Sequence, residues 1–143
     1  MLDDKLSRHL LLLDEYLSLL RTKQRLSKQE FLSSPTEMAA VKHWLLLVAM
    51  TCINIGAVLI SRFRLGTFET YQDVFRILAK HAVIDRELAE RMMELARFRN
   101  LLAHVYWEVD DEQVYSIYQE DLGNIDEFMI QVEAFLAAKQ DLE

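Results

Sequence analysis

The stretch "RFRNLLAHVYWEVD", Arg97 to Asp110, gathers two arginines, an asparagine, a histidine and a tyrosine within ten residues. The set suits work on a phosphodiester. The guanidinium of Arg99 is a planar fork of donors matched to phosphate oxygens. The imidazole of His104 can exchange a proton near neutral pH, and RNA places a 2′-hydroxyl beside each phosphate. Together they could cut RNA without a metal, His104 taking the hydroxyl proton and Arg99 holding the charge that develops around phosphorus. Asn100 could orient either group. Arg97, with Arg62 and Arg64, could extend an RNA path.

Spacing limits how these groups meet. On one ideal helix Arg99 and Tyr106, seven residues apart, stack on one side, whereas His104 points roughly 140° away from Arg99. Either the helix ends near His104 and the chain turns at "WEVDD", or a second copy of the chain completes the site. Residue types alone also allow a plainer reading: Arg and His near a helix C-terminus bind its free carbonyls and complement its dipole, and Tyr106 and Trp107 could simply pack over the bundle end.

The elements that must position this stretch read as helices. With three Gly and one Pro in 143 residues and a 52% hydrophobic composition, the chain has little room for the turns of a β fold. Leu6, Leu10, Leu13, Leu17 and Leu20 recur at helical spacing and predict a first helix from about Asp3 to Lys28. "FLSSPTEM" predicts a second, with Ser34 as N-cap, Pro35 at its first position and Glu37 closing a capping box. It should run to about Arg62 and break at Gly66. A short helix follows, capped by Thr70 with Asp73, and burying Val74, Phe75 and Leu78. "HAVID" reads as a connection. Asp85 caps a helix that buries Leu88, Met92, Leu95 and Phe98 and runs to Ala103. Asp110 and Gln113 form a box-like pair ahead of one last helix that buries Val114, Ile117, Ile125, Phe128, Val132 and Phe135 to the end, with Gly123 as a weak point. The expectation is a single all-α domain over residues 1–143, an up-down bundle of four long helices plus one short helix.

Charge and composition narrow the function classes. The net charge is −7, but eleven acidic residues against Lys139 alone lie from Val105 onward, so the first 104 residues carry a balance of +3. A basic groove there is compatible with RNA, although long-range steering would be weak. One cysteine, Cys52, inside an apolar run excludes an intrachain disulfide and fits a reduced, cytoplasmic setting. Asp3 and Asp4 stand where a signal peptide would be positive. "WLLLVAMTCINIGAVLI", Trp44 to Ile60, is the one stretch apolar enough to suggest a membrane span; it holds Thr51 and Asn54 and reads as a bundle's buried central helix, so no membrane partner is expected. No pair of His, Cys or carboxylates has metal-ligand spacing, and no glycine-rich phosphate loop is present, so neither metal nor cofactor is expected. His9, His43 and His81 read as solvent-facing, packing and helix-end residues.

These residues carry a resemblance. Arg99, His104 and Tyr106 fall on the three fixed positions of the R-x4-H-x-Y motif of the HEPN superfamily, as found in the HepT-like (DUF86) toxins, and Asn100 occupies the position where that superfamily favours a polar residue. The resemblance extends through "TYQDVFRILAKHAVIDRELAERMMELARFRN" and "CINIGAVLIS", covering most of the chain after about Ala39. It implies a HEPN-like helical bundle and a metal-independent endoribonuclease toxin that forms homodimers, the motif of both copies lining one cleft. It implies a partner, an MNT-type nucleotidyltransferase antitoxin that attaches AMP to the motif tyrosine. Arg99 and His104 would then be catalytic, Asn100 supporting, Arg97 an RNA contact and Tyr106 the AMPylation site. Asn54 departs from an acidic residue often found in relatives at that position, which leaves its role open. The competing reading is a non-catalytic helical module that only binds the transferase.

Overall fold

In a computed structural model of the protein, residues 4–142 are described, and they form seven α-helices and one turn of 3-10 helix. The start expected at Asp3 lies outside the described residues. The helices are α1 (Asp4–Thr22), α2 (Lys28–Leu32), α3 (Pro35–Phe63), α4 (Tyr71–Lys80), α5 (Arg86–His104), α6 (Asp111–Glu120) and α7 (Leu122–Leu142), and the 3-10 turn spans Tyr106–Glu108 between α5 and α6. Four of these, α1, α3, α5 and α7, are long, as the sequence predicts; three short helices accompany them rather than one. Each long helix packs on the next: α1 on α3, α3 on α5, and α5 on α7, with α4 laid along α3 and α5. Every α-helix contributes to one contiguous apolar core.

The first expected boundary is corrected. α1 stops at Thr22, not Lys28, because α6 takes over the carbonyls that would continue it. The Tyr118 hydroxyl donates to the carbonyl of Lys23 at 3.2 Å, the Gln119 amide to that of Gln24 at 3.0 Å, and the Tyr115 hydroxyl to that of Leu26 at 3.0 Å. Ser27 then caps the extra short helix α2 in a full box with Glu30. Phe31 of α2 stacks against Tyr115 and Tyr118 at ring separations of 5.6 and 5.4 Å. This cluster ties the α1–α3 connection to α6.

α3 is the central helix. Ser34 accepts from the Glu37 amide as expected, but the Glu37 carboxylate turns instead to Lys23, 3.0 Å away. Buried residues cover much of its circumference, among them Leu45, Val48, Cys52, Ile55 and Leu59. It is the one described helix long and apolar enough to cross a membrane, and over half of that apolar window is already buried within the bundle. Burial also pushes the Cys52 thiol far above its usual range. α3 ends through Arg64 in the left-handed region, φ 53°, with the Leu65 amide donating back to Ile60. Gly66, at φ 143°, follows this stop rather than making it.

α4 forms on the expected Thr70–Asp73 box and buries Val74, Phe75 and Leu78. Its approach to α3 is possible because Gly56 has no side chain: a β-carbon there would collide with Val74. Asp85 caps α5 by accepting from Leu88 at 2.7 Å. The expected last helix is two. It breaks at Asp121, whose amide closes α6 on Ile117. Gly123 therefore sits at the second position of α7, not in mid-helix. Asp110 caps α6 through the Glu112 amide, so the expected pairing with Gln113 is not made.

Candidate active site at the end of α5

α5 ends on His104, and the chain turns at Val105 (φ −132°) into the 3-10 turn carrying Tyr106. The turn is closed by the Val105 amide on Leu101 at 2.9 Å and the Glu108 amide on Val105 at 2.8 Å. Asp110 then restarts the helix, and the aromatic cluster under α6 holds the segment against the bundle.

Arg99 is fixed from three elements. Its Nε lies 2.7 Å from Sδ of Met50 on α3, its Nη1 donates to Oδ1 of Asn100 at 3.1 Å, and its guanidinium stacks over the Tyr71 ring of α4 at 4.8 Å. It is half-buried and has no carboxylate partner among the described residues. A guanidinium oriented by an amide, a thioether and an aromatic face keeps its positive charge uncompensated, which is what an oxyanion needs. Asn100 thus accepts a hydrogen bond from the Arg99 guanidinium.

His104 is exposed at the last helical position, with no hydrogen bond or ion pair among the described residues. The chain does turn there, but only after His104. The six residues from Arg99 to His104 remain helical, so the roughly 140° divergence persists within one chain. Tyr106 is 46% exposed. Arg97 stands apart: it is two residues, about 200°, from Arg99 and pairs with Glu94 on its own face. Arg62 and Arg64 are exposed at the far end of α3. Asn54 is exposed beside a shallow depression with His9, Lys5 and Arg62. His9 there is half-buried rather than open to solvent, and burial together with Lys5 and Arg8 lowers its pKa.

Met50 and Tyr71, which hold Arg99, escaped sequence reasoning, and so did a buried lysine beside Tyr106. Lys42 of α3 is buried, its ammonium 2.8 Å from Oδ1 of Asp111 and 4.6 Å from the centroid of the Tyr106 ring. A charge taken out of water needs such a partner. The Asp111 oxygen is itself buried and has no other hydrogen-bond donor. Lys42 thus joins α3, the start of α6 and the Tyr106 ring. In the sequence it looks like one more basic residue preceding an apolar run; only its register with the buried Leu45 and Val41 hints that it faces inward.

Among the described residues no three His, Cys, Asp or Glu side chains gather as metal ligands would. A cavity of about 240 Å³ between α3, α5, α6 and α7 is lined by Leu45, Met92, Phe98, Ile125, Arg91 and Asp121 and by none of Arg99, Asn100, His104 and Tyr106.

Comparison with known proteins gives the family and the fold. Residues 12–132 match the family of ribonuclease HepT-like proteins. The match begins in α1, well before the Ala39 boundary that the motifs suggest. The tRNA nuclease HepT of Aphanizomenon flos-aquae is 25% identical over 130 residues, spanning 91% of this chain and 88% of that protein. The tri-AMPylated HEPN toxin of Shewanella oneidensis, solved in complex with an MNT antitoxin, superposes with a TM-score of 0.86 at 20% identity, over 93% of this chain and 99% of that one. The cytosolic protein YutE of Bacillus subtilis superposes with a TM-score of 0.83 at 17% identity, over 94% of this chain and 90% of that one. These two share the all-α bundle fold with this protein. With the family match running over most of its length, the chain belongs to the ribonuclease HepT-like family.

Proposed function

We propose that this protein is a cytoplasmic, metal-independent endoribonuclease, the toxin of a toxin–antitoxin pair, acting as a homodimer. The observation that carries the reading is the Arg99 guanidinium, immobilised by Met50, Tyr71 and Asn100 yet left without a counter-ion, on the same helix as an unengaged His104. His104 takes the proton from a ribose 2′-hydroxyl. The 2′-oxygen attacks the adjacent phosphorus, the bond to the 5′-oxygen breaks, and the leaving oxygen takes a proton from water. Arg99 stabilises the charge on the non-bridging oxygens, a contribution of several kcal/mol where such donors are preorganised (about 2.7–4 for one oxyanion donor). Because the two side chains diverge on one helix, a second copy presents its own α5 end across the cleft, and each phosphate meets Arg99 and His104 from the pair of chains.

Tyr106 is the AMPylation target of an MNT-type nucleotidyltransferase antitoxin. Its ring is half-exposed, so the phenol oxygen can attack the α-phosphorus of a bound nucleotide triphosphate with loss of pyrophosphate. The added phosphodiester then places negative charge and nucleotide bulk at the mouth of the RNA site, where it competes with the RNA backbone for the same cations.

The test is RNA cleavage by the purified chain in excess EDTA, beside His104→Ala and Arg99→Lys. Cleavage by the parent and loss in both variants supports the assignment. Activity that survives His104→Ala, or that vanishes in EDTA and returns with a metal, refutes it. A parent that binds the transferase but cuts no RNA is the non-catalytic module instead.

A further inference from the structure

Trp107 is 78% exposed, more than Leu11, Ile130 and the other exposed large hydrophobic residues. It does not sit on a slack loop. The backbone on both sides is hydrogen-bonded in the 3-10 turn, Tyr106 before it lies against Lys42, and Val109 after it packs on the core. Yet the indole has no aromatic or cationic partner among the described residues. A rigid backbone that presents a large flat apolar face to water, three residues beyond His104, is placed to meet whatever occupies the space beside that imidazole.

We infer that Trp107 is a stacking platform for an unpaired base of the RNA, next to the phosphate that is cut; the inference rests on the ribonuclease reading. Charge decides which part of a nucleotide lies on it. Arg99 stands before the turn without a counter-ion. Beyond the indole come Glu108, Asp110, Asp111 and Glu112; Lys42 neutralises Asp111 and Lys28 faces Glu112 at 3.6 Å, which leaves Glu108 and Asp110 without an ion pair among the described residues. A phosphate is drawn toward Arg99 and repelled from the Trp107 side. The strand therefore runs with its backbone toward α5 and its base turned out over the indole. A base held in a duplex cannot offer its face in this way, so the platform selects single-stranded segments.

The chain has two tryptophans, and Trp44 is half-buried on α3. In a Trp44→Phe, His104→Ala protein the indole emission comes from Trp107 alone and the RNA stays intact. Titration with a single-stranded oligoadenylate should quench that emission saturably, while the same strand annealed to its complement should not. By anisotropy of the labelled strand, Trp107→Ala should weaken binding about tenfold to a hundredfold, the range for one base–aromatic stack, and Trp107→Tyr should keep most of the affinity. In an otherwise unchanged protein, Trp107→Ala should raise KM for RNA with little change in melting temperature, since the side chain supports nothing in the fold. If the strand binds but the emission is unchanged, or if Trp107→Ala binds as well as the parent, the proposal is refuted while the ribonuclease reading stands. If the indole responds only to raised protein concentration or to added nucleotidyltransferase, it is a protein contact and the proposal is equally refuted. If the parent neither binds nor cuts RNA, both readings fall together.

Discussion

Replacing Lys42 by Met tests whether the buried cation under Tyr106 holds the end of the site in place. Met keeps the apolar stem and its packing while deleting the charge. The Lys42 side chain is 10% exposed and its partner Asp111 31% exposed. Removing one member of a fully buried pair costs about 3–5 kcal/mol, because the other charge is stranded. Here water can reach part of Asp111, but its Oδ1 is enclosed and has no second donor, so about 2 kcal/mol is the reasonable figure. Loss of the cation over the Tyr106 ring adds up to about 1 kcal/mol. For a chain of this length the sum corresponds to a fall in Tm of roughly 6–10 °C. Thermal unfolding of Lys42→Met, Asp111→Asn and the double variant gives the coupling directly: about 1.5–3 kcal/mol, with the double variant much less damaged than the sum of the singles. The rate of Tyr106 AMPylation should drop in Lys42→Met at a temperature where the protein is folded, and Lys42→Arg should recover part of it. A coupling below about 0.5 kcal/mol, abolished by moderate salt, would mean an ordinary solvated pair, and the claim that Lys42 positions Tyr106 would be wrong.

Four further outcomes follow from the same structure. Gly56→Ala sets a β-carbon against Val74 and should cost about 1–3 kcal/mol, with cleavage lost at lower temperatures than in the parent because α4 carries the Tyr71 ring under Arg99. Gly123→Ala meets open space near the start of α7 and should raise Tm slightly, by the equivalent of about 0.5–1 kcal/mol. Asp73 of the Thr70 box and the cap Asp85 have pKa values lowered, first of all by hydrogen bonds from backbone amides of Thr70 and Leu88, so their stabilisation is present above the ordinary carboxylate pKa and disappears as pH falls through the lowered folded values; Asp85→Asn should melt below the parent at pH 7, converge with it in acid and show a flatter acid limb in a series of melts. Mixing inactive Arg99→Ala and His104→Ala chains should restore cleavage, since a mixed dimer has one cleft with an intact Arg99 from one chain and an intact His104 from the other; mixtures as dead as the single variants would show that each chain carries a complete site.

Much of the fold is legible because local chemistry states it. The Thr70–Asp73 box, the Asp85 cap, Pro35 at the head of α3 and the leucine repeat of α1 each fix a boundary or a face without help from distant residues. The misread boundaries have a different origin. Just past Thr22, hydroxyls and an amide from α6, 89 to 95 residues away in sequence, take the carbonyls of Lys23, Gln24 and Leu26. Nothing between Thr22 and Lys28 announces this: the residues there are ordinary helix formers, and only Ser27 with Glu30 signals the new start. The break at Asp121 is of the same kind, a kink between two helices whose apolar periodicity continues across it. Arg64 rather than Gly66 takes the left-handed cap because residues 60–65 close on themselves before the glycine is reached.

The site divides along the same line. Arg99, Asn100, His104 and Tyr106 are neighbours in sequence, so their types and order can be read directly. What cannot be read is what disciplines them: Met50 and Lys42 from α3 and Tyr71 from α4 arrive through packing, and each looks like a generic core or helix-start residue in its own segment. The contrast between the two central groups is functional in consequence. Arg99 is gripped on three sides, so its charge points one way at no cost when the reaction occurs, as electrostatic stabilisation demands. His104 sits at a helix end with no hydrogen bond or ion pair among the described residues, whereas a general base, the role proposed for it, must lie within hydrogen-bond reach of the proton it removes. On the proposed reading, a single chain would supply a preorganised anion site and an undirected base. On that same reading, the orientation that His104 lacks would come from the RNA and from a facing copy of α5, which would make association a condition of catalysis rather than an accessory to it.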